Sequence, residues 1–119
     1  MAKYVDVFLN EDQLADPSVT VTEHDAQAAD IFVDMALHDR GINPASVTLP
    51  NAILTEIAAN WAKRSACVQG AIGDNSPLID KAKQYESQAT VLVSMLNRAA
   101  LGIAEPTGAA FGQITLGRA

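Results

Sequence analysis

The chain has 119 residues, enough for one domain with a modest core and too few for two. Apolar residues make up 49% and aromatics only 5%, which suits closely packed alanine-rich helices better than a sandwich or barrel. The formal charge of −6 argues against a protein that grips nucleic acid, where a basic patch supplies most of the affinity.

The first segment opens with Tyr4-Val5-Asp6-Val7-Phe8-Leu9, continues through a polar, turn-rich stretch over residues 10–17, and alternates again as Ser18-Val19-Thr20-Val21-Thr22. Two β-prone runs around a polar loop fit a hairpin; they fit equally an irregular arm packed on helices. The expectation for residues 1–21 is therefore an extended N-terminal arm with possible short strands. Met1-Ala2-Lys3-Tyr4 lacks the apolar core of a signal peptide, so synthesis in a cytoplasm is expected.

A first principal helix is expected over residues 22–40. Thr20 with Glu23, or Thr22 with Asp25, matches a capping box, and Gly41 with Ile42 behind it matches a left-handed stop. Ala29, Phe32, Val33 and Ala36 form one apolar stripe and Ala28, Ile31 and Met35 a second. Two apolar faces exceed what one small core needs, which makes Ile31 and Met35 candidates for a subunit contact. Residues 1–40 carry nine acids against Lys3 and Arg40, whereas residues 41–119 carry five acids against six bases. Asp30, Asp34 and Asp39 are thus the candidate acidic surface, a wall that would repel a passing polyanion. Asp30, Asp34 and His38 are spaced four apart, so they share a helix face. A metal could use such a stripe, but a solvated acidic face is the ordinary reading, and no metal or cofactor is expected.

Residues 43–49 read as a loop, and Pro50 fits the first position of a second helix running to residue 71. Its period is carried by Ile53, Leu54, Ile57, Ala58, Trp61, Ala62, Cys67, Val68 and Ile72. Trp61 suits burial in the core or an interface better than base stacking. Cys67, the single cysteine, admits no intrachain disulfide and reads as a small buried hydrophobe. Gly73-Asp74-Asn75 marks a turn, Ser76 an N-cap and Pro77 the start of a third helix to residue 101, after which Gly102-Ile103 repeats the stop signal. Lys81 and Lys83 near its start are candidates to meet the acidic helix of a neighbouring copy. Residues 104–119 then form an extended tail with one short alternation, Gln113-Ile114-Thr115-Leu116, which as a lone strand wants a partner.

The fold class expected is mainly α: a bundle of three principal helices over residues 22–103, flanked by arm and tail. No phosphate loop, GxGxxG or nucleophile elbow occurs, so catalysis is not expected. No apolar run approaches the roughly 18 residues of a membrane span, so no membrane partner is expected.

The order of these elements resembles the small head-to-tail connector proteins (adaptor or head-completion proteins) of tailed bacteriophages. The likeness covers about residues 20–119 and is carried by residues 62–71, by Leu78-Ile79-Asp80-Lys81-Ala82-Lys83-Gln84-Tyr85-Glu86, and by the tail Phe111-Gly112-Gln113-Ile114-Thr115-Leu116-Gly117-Arg118. It implies a virion protein of the neck, commonly in a twelve-fold ring of identical copies under the portal protein, extending the DNA channel and offering a surface to a tail or stopper protein. Phe111, Gln113, Ile114, Thr115, Leu116 and Arg118 would then dock on the portal or a neighbour by strand addition. The competing expectation is an acidic helical regulator that binds a DNA-binding protein; a small metal protein using Asp30, Asp34 and His38 is the third.

Overall fold

The computed structural model describes residues 2–71, 77–97 and 99–102. It is mainly helical, with three principal helices packed together. A short helix α1 spans Glu11–Leu14; the principal helices are α2 (Glu23–Asp39), α3 (Ala52–Gly70) and α4 (Pro77–Ser94), with a 3-10 turn over Pro44–Ser46. The possible short strands of the arm do not form among the described residues. Residues 2–21 are instead an arm that is irregular apart from α1, because its β-prone side chains Tyr4 and Val5 turn into the helical core rather than pairing edge to edge.

Local signals set most helix ends. Thr22 caps α2 in a reciprocal capping box: its hydroxyl accepts from the Asp25 backbone N–H, and the Asp25 carboxylate accepts from the Thr22 N–H at 2.9 Å. Asp25 is itself buried, and its other oxygen accepts from Ser65 Oγ at 2.9 Å and Gln69 Nε2 at 3.1 Å. The same carboxylate therefore starts α2 and ties it to α3. At the other end Gly41 adopts φ +70. Its N–H donates to the His38 carbonyl and that of Ile42 to the Leu37 carbonyl, the two bonds of a Schellman motif.

Two helix ends differ from expectation. Pro50 precedes α3 rather than opening it, because Asn51 is the cap and its side chain accepts from the N–H groups of Ile53 and Leu54. The third helix stops at Ser94 rather than residue 101. Met95 and Leu96 donate to carbonyls three residues back, which tightens the last turn, and the Asn97 side chain accepts from Ala100 N–H to start a separate turn that ends at Gly102, φ +73. Leu96 and Leu101 still reach the core, so the apolar period survives although the helix does not.

α3 is the central element. It packs against both α2 and α4, while α2 and α4 scarcely touch. Its alanines explain the closeness: Ala58, Ala59, Ala62 and Ala66 are buried beside Leu54, Ile57 and Cys67, and α2 offers Ala26, Ala29 and Ala36. Small side chains bring helix axes toward the short end of the usual 8–10 Å separation. Fully burying Leu37, Leu54 or Ile57 contributes about 1.5–3 kcal/mol each. Cys67 is inaccessible, and burial pushes its thiol above the ordinary value. At the end of α3, Gly70 lets the arm and α4 approach: an added Cβ would lie 3.2 Å from Leu78 and 3.6 Å from Val19.

Candidate functional site

The arm crosses α3 and is moored at both ends by carboxylates. At α2, Asp30 accepts from the backbone N–H groups of Lys3 (2.7 Å) and Tyr4 (3.2 Å), while Asp34 accepts from Lys3 Nζ (2.8 Å) and the Tyr4 hydroxyl. At α4 the roles reverse. Asp16 of the arm accepts from Lys81 Nζ at 2.8 Å, from the Tyr85 hydroxyl, and from the Ser18 N–H at 2.7 Å. Val5 and Leu14 between the moorings join the core, and α1 packs on α3.

The Asp16 side chain is only 1% exposed. Burial alone would raise its pKa, but the hydrogen bonds from Lys81, Tyr85 and Ser18 outweigh it and hold the carboxyl at about 2. Tyr85 moves the other way: burial, then its bond to Asp16, push the phenol well above its usual value. Tyr4 is raised for the same reasons, with burial first and Asp34 next.

This places the expected site residues. Asp30 and Asp34 are engaged by the arm rather than forming a free acidic surface; Asp39 and His38 are exposed. Among the described residues no three His, Cys, Asp or Glu side chains are grouped to hold a metal ion. Lys81 is spent within its own chain, so of the two lysines only Lys83 stands exposed. Ile31 and Met35 are 63% and 61% exposed. The tail residues Phe111, Gln113, Ile114, Thr115, Leu116 and Arg118 lie outside the described residues, as does the turn over residues 73–76.

Among the described residues, the side of α3 away from the arm is open. At ~100° per residue, Asp30 and Asp34 fall on one flank of the buried stripe Ala26, Ala29, Val33 and Leu37, and Phe32, Met35 and Asp39 on the other. Lys81 and Tyr85 relate in the same way to Thr90 and Val93 on α4. Between α2 and α4 runs a groove of about 350 Å³ lined by Phe32, Met35, Ala36, Asp39, Arg40, Thr90 and Val93. Phe32 is fixed in it by face-to-face stacking on Trp61, centroids 3.8 Å apart and planes 6° from parallel. Arg64 covers the indole at 4.5 Å and reaches Glu86 at 3.1 Å. Trp61 is thus half-buried in an internal stack.

A second apolar feature was not anticipated: Phe8 and Leu9 are 82% and 85% exposed. Asp6, spaced two and three residues before them, signals an Asx turn, and Asn10 closes it. No helix among the described residues is long and apolar enough to cross a membrane. No protein-family model, curated protein or solved structure matches the chain.

Proposed function

We propose that the chain is a structural subunit of a tailed-phage neck, forming a ring between the portal protein and the tail and lining a channel through which DNA passes without specific binding. The observation that carries this reading is the apolar surface of α2, where Ile31 and Met35, one turn apart, stand 63% and 61% exposed and Met35 also lines the groove. Adjacent exposed apolar residues of this kind mark interaction surfaces more often than isolated ones. The residues quoted for the connector resemblance say which kind of assembly to look for. The regulator alternative draws less support, because it needs the helix carboxylates free and two of them, Asp30 and Asp34, hold the arm.

The test is mass in solution and electron microscopy of the full chain, alone and with a portal protein. A ring, or a monomer that forms one only on the portal, supports the connector reading; a stable dimer indifferent to portal moves the weight to the regulator. Deleting residues 105–119 is expected to leave helix content nearly unchanged by circular dichroism while abolishing portal docking.

A further inference from the structure

We infer that Phe8 and Leu9 form a rigid apolar peg that seats in the α2–α4 groove of a second copy of this chain, making the repeated contact of the assembly; the inference rests on the ring reading above. The peg is built rather than loose. The N–H groups of Phe8 and Leu9 donate to Asp6 Oδ1 at 2.8 and 2.9 Å, Asp6 N–H donates to Asn10 Oδ1 at 2.8 Å, and Asn10 N–H returns to the Asp6 carbonyl at 2.8 Å. Asn10 Nδ2 is anchored in turn on Gln13 Oε1 at 2.9 Å. With the N–H groups of Asp6, Phe8, Leu9 and Asn10 satisfied, the turn holds two large apolar side chains in water before any partner arrives, so little ordering remains to be done on binding.

The groove is the matching half. Phe32, Met35, Ala36 and Val93 supply an apolar lining at a volume of about 350 Å³, a size for one or two side chains rather than a helix. The acids flanking the peg, Asp6, Glu11 and Asp12, have one cation to face in the groove, Arg40, while Asp39 in the same lining repels them, so the contact rests on its apolar fit. Peg and groove cannot meet within one chain, because the arm lies on one side of the α2–α3–α4 layer and the groove opens on the other. For the same reason two copies cannot satisfy both contacts reciprocally. The contact is heterologous, and repeating it closes a ring or extends a filament.

The test is mass photometry and sedimentation of the full chain across a concentration series, run alone and with portal protein. Four samples are compared: the unaltered chain, Phe8→Ser with Leu9→Ser, Met35→Glu, and a 1:1 mixture of the two variants. All substituted positions are exposed, so circular dichroism should be unchanged. Each variant by itself should need at least about tenfold more protein to assemble. The mixture should form one-to-one pairs and stop, since one partner keeps only a groove and the other only a peg. A peg variant that assembles like the unaltered chain, or a mixture without pairs, overturns the contact while leaving the ring reading in place. Dispersal by Met35→Glu alone would mean that another segment fills the groove, and also overturns it. An unaltered chain that stays monomeric with and without portal removes the ring reading and this contact together.

Discussion

The two moorings of the arm are built from the same parts, a carboxylate, a lysine and a tyrosine, but with the sides exchanged and the solvent different. At α2 the helix supplies the carboxylate, and the Lys3–Asp34 pair is 48% and 36% exposed. At α4 the arm supplies it, and Asp16 is 1% exposed against 31% for Lys81. Equal distances of 2.8 Å do not make equal energies. In the exposed pair water competes for both charges and salt screens them, leaving roughly 0–1 kcal/mol. In the buried pair the carboxylate has already lost its water, so removing a partner costs more than the pair itself contributes.

That difference can be broken by substitution. Asp16→Ala should cost about 2–3 kcal/mol in urea unfolding, because the Ser18 N–H, the Tyr85 hydroxyl and Lys81 all lose their acceptor. The figure stays below that for a fully buried pair because Lys81 can turn to water.

Acid titration sharpens the same contrast. The folded-state pKa of Asp16 lies near 2, below its ordinary 3.8. A depressed value means that the stabilisation is complete above pH 3.8 and drains away as pH falls toward 2. The expected loss is about 2 kcal/mol. Asp16→Asn, which keeps an acceptor without a titrating proton, should flatten stability across that window; a profile identical to the unaltered chain would place the acid sensitivity elsewhere.

Smaller effects follow. Tyr85→Phe should lose about 1 kcal/mol, and Tyr4→Phe should lose less, since its acceptor Asp34 keeps Lys3. The smallest change belongs to Lys3→Met: at most about 1 kcal/mol at low salt and no measurable effect near 1 M NaCl. An equal salt-insensitive loss at both ends would show that exposure does not separate them.

What was legible in the sequence follows the range of the interactions. The capping partners Thr22 and Asp25, the Gly41 stop, the start at Pro77 and the burial of Cys67 are local patterns, and each is where its neighbours along the chain put it. Asn97 shows the limit of period alone: the apolar spacing runs on to Leu101, yet the helix ends at Ser94 and the Asn97 side chain caps a separate turn at Ala100 N–H. The moorings join residues 26 to 69 positions apart, and nothing in the spacing of Asp30 and Asp34 names Lys3 as their partner. Asp30 and Asp34 therefore read as surface acids although the arm engages both, while Asp39 stands exposed. The turn that displays Phe8 and Leu9 was legible in principle from Asp6 and Asn10, but β-prone side chains on either side outweighed it.

The central placement of α3 also orders events in time. Its contacts with α2 and α4 join consecutive elements, whereas Asp16 meets Lys81 and Tyr85 across separations of 65 and 69. Closing the longest loop comes late when shorter ones already reward the chain. Weakening the α4 mooring should therefore speed unfolding and leave the refolding rate nearly untouched. The α4 mooring should then be the last contact of the arm to form and the first to break, while the α2 mooring, whose partners lie 26 to 31 residues apart, closes a shorter loop.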